Sequence, residues 1–177
     1  GYSGAGKSTI GSAFCGRYGL DFIEHQPLVH SIARSKGFER ARYWLAEVGL
    51  DNFTRESVGG MIRIIETLEG HTRGVLTDVS YGVKMIDSIK GSFPEADLVV
   101  ASVVADMSLR ETRVSKRMGG VEMEVARRER EFRDEFLLEV GLNRVLDSAD
   151  FAVENMGSVD GAVSELRDKL ELKGWNF

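Results

Sequence analysis

The chemistry-bearing residues of the chain are its first nine: Gly1-Tyr2-Ser3-Gly4-Ala5-Gly6-Lys7-Ser8-Thr9. They fit the spacing G-x-x-x-x-G-K-[ST], with Gly1, Gly6, Lys7 and Ser8 at the defining positions of a phosphate-binding loop. Glycines let the backbone curl close to a polyphosphate with no side chain in the way. The amides of Ser3, Gly4, Ala5, Gly6, Lys7, Ser8 and Thr9 can then converge as an anion nest at a helix N-terminus. In this pattern Lys7 reaches the β- and γ-phosphates of ATP (or GTP), and the Ser8 hydroxyl ligates Mg2+. A plain Gly/Ser turn explains the glycines but not Lys-Ser-Thr at that offset. Such a loop is fed by a buried strand, so a strand of about five to eight residues is expected immediately before Gly1, outside this sequence.

The elements that must position this loop follow from the rest of the chain. Its 177 residues suit one domain carrying a small inserted subdomain. Hydrophobic residues make up 42% and charged residues 29%, the balance of a globular protein, and no apolar run has the length of a membrane span. A net charge of -5 argues against a general nucleic-acid binder. The single cysteine, Cys15, cannot form an internal disulfide, and no Cys/His cluster has zinc spacing. A reducing, cytoplasmic setting is expected, with no membrane partner.

Lys7–Tyr18 reads as the helix after the loop, with Ile10, Ala13 and Phe14 on one face, Cys15 toward the core and Gly19 as a stop. Residues 20–25 read as a short strand ended by Gln26-Pro27. Residues 28–69 are helical in pattern, with closures at Gly37 and Gly49, and Thr54 placed to cap a third helix. Within that helix Gly59-Gly60 costs about 2 kcal/mol of helix propensity, and marks a close contact, a hinge or a weak spot. Residues 74–78 form the next strand, ending on Asp78, and residues 83–89 a short helix. The longest apolar run, residues 98–105, reads as a central parallel strand buried on both faces. Ser108 caps a helix to Met118, closed by Gly119-Gly120. A charged helix over 122–140 follows, with Val125, Phe132, Phe136, Leu137 and Val140 as its apolar positions. After a further helical turn over 143–147, a last strand covers 151–154 and a final amphipathic helix is capped by Ser158. Trp44, Tyr43 and the tail Trp175-Asn176-Phe177 offer apolar surface to a partner or to the core. Helices alternating with short strands give an α/β fold with a parallel sheet.

The order of pieces separates the phosphate-loop classes. Asp78 is followed by Val79-Ser80-Tyr81 rather than x-x-G, and no N-K-x-D occurs, which excludes a GTPase signature. The helical block between the second and third strands, with an Arg-rich helical segment before the last strand, is the plan of small phosphotransferases. From Gly1 to about Leu172 the chain resembles the P-loop nucleoside monophosphate kinase group, closest to its dephospho-coenzyme-A-kinase-like and archaeal adenylate-kinase-like members. The resemblance implies a three-layer P-loop fold, with residues 28–69 as an acceptor-binding subdomain and 119–140 as a lid. It gives Arg113 to the nucleotide base and Arg117 to its phosphates, four residues apart on one helix face. From the cluster Arg127, Arg128, Arg130 and Arg133, the resemblance favours Arg133 for the transferring phosphoryl group, with Arg127 or Arg130 as the substitute. Asp78 falls where these folds hold an acid near Mg2+, and Asn155 lies in the loop against the adenine.

The acceptor side departs from the group. Its usual arginines are replaced by His30 after the second strand and Tyr81 after the third, and its aspartate by Pro27. His30, Arg34, Arg40, Arg42, Arg63 and Tyr81 are available as substitutes, and Glu24 or His25 as a base toward an acceptor hydroxyl. The expected activity is a Mg2+-dependent phosphotransferase moving the γ-phosphoryl group of a nucleoside triphosphate to a small-molecule acceptor, as a monomer or homodimer. The alternative is a nucleotide-binding or hydrolysing regulatory protein with no small-molecule acceptor.

Overall fold

The computed structural model describes residues 1–68, 73–78 and 82–177. Four short strands and eight helices alternate along it: α1 (Lys7–Tyr18), β1 (Asp21–Ile23), α2 (His25–Ser35), α3 (Ala41–Leu68), β2 (Val75–Thr77), α4 (Gly82–Ser92), β3 (Ala101–Val104), α5 (Met107–Arg117), α6 (Met123–Glu139), α7 (Leu142–Asp147), β4 (Phe151–Glu154) and α8 (Val159–Glu171). The expected α/β class and the strand positions agree with this order.

All strand pairing is parallel. β1 pairs with β2, Phe22 opposite Leu76, and β3 pairs with β4, Val103 opposite Val153. β2 and β3 do not pair with each other. Between them lies an apolar cleft of about 200 Å3, lined by residues of β2, β3, α1 and α8. That cleft changes the reading of residues 98–105. β3 is only four residues long and is not buried on both faces, because its side toward β2 is open; Leu98 and Val104 are exposed.

Local signals in the sequence account for most boundaries. Gly19 closes α1 in the left-handed conformation, its amide bonded to the Cys15 carbonyl. Ser158 caps α8, its hydroxyl accepting from the Gly161 amide at 3.1 Å. Gly119 and Gly120 both take positive φ and separate α5 from α6. Three expectations need correction. Pro27 does not end β1 but sits in the first turn of α2, where a missing N–H costs nothing. Thr54 is not a cap: α3 already runs through it, broken only at Gly49 (φ 75°). The cap of α5 is Asp106, so Ser108 lies inside that helix. Of the three readings of Gly59-Gly60, the structure supports close contact, since a Cβ on Gly60 would stand 2.9 Å from Ile32 on α2.

Two apolar clusters hold the layers together. The first joins α2, α3 and α4 through Val29, Trp44, Phe53, Met61 and Met85, all buried. The second packs Ile10 and Phe14 of α1 against Val153 and the Val163, Leu166, Leu170 face of α8. Trp175 and Phe177 join it, with the Phe177 ring edge-on to Phe14 at 5.1 Å. Trp44 and the tail aromatics therefore serve the core, while Tyr43 is exposed. Cys15 is buried, as expected, and burial pushes its thiol up to about 11. On α6, Val125 and Phe132 are exposed instead of buried; the positions that face inward are Ala126, Arg130 and Asp134. Among the described residues no helix is long and apolar enough to cross a membrane.

Candidate functional site

The loop over residues 1–6 leads straight into α1, and two glycines make its path possible. Gly4 (φ 77°) lies against the Arg110 backbone, whose carbonyl would stand 2.7 Å from a Cβ there, and Gly6 (φ 95°) lies against the Asn155 side chain. Neither position has room for a side chain. Lys7 folds back along the loop, its ammonium donating to the Gly1 carbonyl at 2.7 Å and the Tyr2 carbonyl at 3.1 Å. Burial is the largest cause lowering Lys7 to about 8; Asp78 and Asp134 pull the other way.

Asp78, at the end of β2, ties three elements to one carboxylate. Its Oδ2 accepts from the Ser8 hydroxyl at 2.5 Å, and its Oδ1 from the His25 amide, the first of α2, at 2.7 Å. A helix-terminal amide that has no partner within its own helix is thus satisfied from another strand. His25 itself is buried, and burial lowers its imidazole to about 3, so it is neutral at physiological pH. Val79, Ser80 and Tyr81 lie outside the described residues.

The loop opens into a cavity of about 1370 Å3. Of the residues expected to act, Ser3, Gly4, Gly6, Lys7, Ser8, Thr9, Asp78, Arg113, Arg117, Arg133 and Asn155 line it, and Ala5 is buried just behind. Arg113 donates to the carbonyls of Gly4 and Ala5 (3.4 and 3.3 Å) and of Asn155 (3.0 Å), and Asn155 donates from its side chain to Ala5 at 2.8 Å. Both residues thereby brace the loop. Arg117 faces Arg133, which α6 holds against Glu129 at 2.5 Å. His30, Arg34, Arg40, Arg42 and Phe132 also line the cavity, with the Arg42 guanidinium 4.5 Å over the Phe132 ring.

A second arrangement went unread in the sequence. Asp134 accepts from the Ser3 amide at 2.9 Å and is ion-paired with Arg110, whose Nε donates to the Ser3 carbonyl at 2.8 Å. Arg130 completes a buried quartet by pairing with Asp134 at 3.2 Å and with Glu111 at 3.3 Å. Two acids and two arginines, each at most 8% exposed, thus join the loop to α5 and α6. Arg130 is committed to this network, and Arg127 pairs with Glu111 and Glu124 outside the cavity wall. Interleaved Arg and Glu read as a solvated helix face, and only the three-dimensional packing of α6 on α5 separates the inward pair. A signal was present in the i, i+4 spacing of Arg130 and Asp134.

The residues fit a hard divalent cation such as Mg2+. A carboxylate and a hydroxyl oxygen 2.5 Å apart supply oxygen donors beside the loop, and the rest of an octahedral shell is ordinarily water and phosphate. Among the described residues no group of three or more His, Cys, Asp or Glu side chains forms an all-protein metal cage.

No family model matches the chain. It is 28% identical over 177 residues to a UPF0200/UPF0201 protein of Archaeoglobus fulgidus, covering 96% of the chain and 53% of that protein. It is 26% identical over 181 residues to a UPF0200 protein of Thermococcus sibiricus, covering 97% and 89%. The chain thus spans about half the length of the first of these relatives. Among solved structures, a shikimate kinase from Bacteroides thetaiotaomicron aligns with TM-score 0.60 and 16% identity, over 96% of this chain and 94% of that one. A gluconokinase from Sinorhizobium meliloti 1021 aligns with TM-score 0.59 and 18% identity, over 98% and 94%. The phosphate-loop spacing, the parallel strand pairs and these alignments together show an α/β fold of the P-loop type.

Proposed function

We propose that the chain is a phosphotransferase that moves the γ-phosphoryl group of ATP (or GTP) to a small-molecule acceptor bound across the 1370 Å3 cavity. The observation that carries this is the convergence on one cavity of Lys7, Ser8 and Asp78 from the loop side with Arg117 and Arg133 from α5 and α6. A shikimate kinase and a gluconokinase share the fold, which supports a small-molecule acceptor without naming it. In this reading the loop amides of residues 3–9 cradle the phosphates, Arg113 and Asn155 hold the loop toward the base, residues 28–69 form the acceptor side, and residues 119–140, the expected lid, form a wall that Asp134 ties to the loop.

An acceptor oxygen attacks the γ-phosphorus, the bond to the β–γ bridging oxygen breaks, and the nucleoside diphosphate leaves with that electron pair. The acceptor's proton passes to a carboxylate lining the cavity, a role we assign to Glu24. Lys7, Arg117 and Arg133 stabilise the charge spread over the moving group, and their fixed positions avoid reorganisation cost. Ser8 and Asp78 would hold Mg2+, which when bound neutralises the phosphate oxygens.

Adding candidate hydroxy and phospho compounds to the protein with Mg–ATP tests the reading. Acceptor-dependent ADP release, absent in Lys7→Ala, is the expected result. Nucleotide binding with no acceptor dependence across nucleosides, pantetheine compounds, sugars and hydroxy acids would favour the regulatory alternative.

A pH dependence follows from Lys7. A polyphosphate favours the charged ammonium, so a group lowered to about 8 in the free protein rises on binding and takes up a proton. Nucleotide affinity is therefore flat below about pH 8 and falls above it, by at most about tenfold per pH unit. Stability of the ligand-free protein runs the opposite way. The folded value lies below the ordinary lysine value of about 10.4, so the Lys7 contribution rises with pH between about 8 and that value. Calorimetric titrations and thermal melts across pH 7 to about pH 10 check both signs.

A further inference from the structure

We propose that Arg110 and Asp134 are positioning residues for the phosphate loop: from behind it they hold the two peptide planes on either side of Ser3, which turns the Tyr2 carbonyl onto Lys7 and the Gly4 amide toward the phosphates. The inference rests on the reading of residues 1–9 as a nucleotide's phosphate site. It adds two residues that act on that site without touching its ligand. Both are buried, and neither lines the cavity.

In a planar trans peptide the carbonyl of one residue and the N–H of the next point in opposite directions, and no peptide bond among the described residues is cis. The Ser3 N–H donates to the Asp134 carboxylate at 2.9 Å. The Tyr2 carbonyl of the same peptide is thereby turned to the inner side of the loop, where the Lys7 ammonium donates to it at 3.1 Å. One peptide further on, the Ser3 carbonyl accepts from the Arg110 Nε at 2.8 Å, so the Gly4 N–H is turned the other way, into the nest. The cradle of amides is narrowed to begin at Gly4, since the Ser3 amide is committed to Asp134.

Arg110 is itself fixed from several sides. Its guanidinium is ion-paired with Asp134 and lies 4.9 Å over the Tyr2 ring, whose hydroxyl donates to the Asn143 side chain at 3.2 Å. Three residues along the same face of α5, Arg113 donates to the next two loop carbonyls, those of Gly4 and Ala5. A salt bridge that merely joins α5 to α6 explains the pairing of Arg110 with Asp134. It does not explain why both members also hydrogen-bond the backbone of one loop residue. Arg130 and Glu111, in the same quartet, make no hydrogen bond to the loop among the described residues. Backbone already fixed in the free protein need not be fixed on binding, and freeing one residue's backbone lowers affinity by about tenfold.

Titration calorimetry with Mg–ATP and magnesium tripolyphosphate, run below all melting temperatures, tests the assignment beside the 31P resonance of bound ADP. Arg110→Met should weaken both ligands about tenfold and move the β-phosphorus resonance toward its position in free ADP. Arg130→Met opens the same quartet but leaves both bonds to Ser3. It should lower the melting temperature while tripolyphosphate affinity and the resonance stay at their wild-type values. Arg110→Met combined with Asp134→Leu leaves the net charge unchanged and removes opposite charges as a pair, so it should fold even where the single variant does not. It should lose at least as much affinity as Arg110→Met, which separates position from charge. Wild-type phosphate affinity in that double variant, or equal losses in Arg110→Met and Arg130→Met, would overturn the positioning role. Wild-type protein that binds neither ATP nor tripolyphosphate would instead remove the phosphate-loop reading, and the inference with it.

Discussion

Lys7→Ala is expected to weaken Mg–ATP binding by about 100-fold while moving the melting temperature by no more than about 3 °C. Hydrogen bonds to charged groups contribute about 1.5 to 3 kcal/mol each, and 1.4 kcal/mol is tenfold in affinity. A lysine that meets two phosphates in a half-buried loop thus reaches about 3 kcal/mol. Stability changes little because two effects oppose each other. The variant loses the bonds to the Gly1 and Tyr2 carbonyls. It also removes an ammonium whose charged form burial disfavours, as its lowering to about 8 records. Titration calorimetry and a thermal melt on one preparation decide the matter. Unchanged nucleotide affinity would mean that the phosphates do not sit on this loop.

Asp134→Ala should cost far more stability, about 3 to 5 kcal/mol, the range for leaving a buried charge without its partner. Arg110 would then be left without its carboxylate, Arg130 would keep only Glu111 and Glu131, and the Ser3 amide would lose its acceptor. At about 2 to 4 °C per kcal/mol for a chain of this size, the melting temperature should fall by about 6 to 20 °C. Replacing Arg110 by Met and Asp134 by Leu together should cost less than the single change, because it removes opposite charges as a pair. A loss below about 1 kcal/mol in urea titration of Asp134→Ala would show that water reaches the quartet and screens it.

The contrast between these two residues shows what the sequence could carry. The loop that carries Lys7 was legible because its spacing is encoded in consecutive residues, and the helix after it, ended by Gly19, obeys local rules. Arg117 and Arg133 were placed by their positions along the chain, and both line the cavity. Asp134 was not read as a partner of Ser3, since 131 residues separate donor and acceptor and nothing local links them. The same limit explains Phe132, an apolar residue at core spacing that faces the cavity beneath Arg42. It also explains the run over 98–105. Its composition fits a strand buried on both sides, but burial depends on a neighbour, and β3 has β4 on one side and a cleft on the other.

The buried quartet has a consequence for motion. Because Asp134 holds the Ser3 amide and Arg110 its carbonyl, α6 and the loop cannot separate without exposing four charges' worth of desolvated ion pairs. Groups joined in this way open together, as one cooperative unit. The backbone amides of Ser3 and of the middle of α6 should therefore exchange with solvent deuterium at a common, slow rate. Whatever closes across the cavity then turns on the α2 side, around Gly37 and Gly49, where two positive-φ glycines bracket the first segment of α3. Amides there should exchange earlier, and slow down when both ends of the cavity are filled.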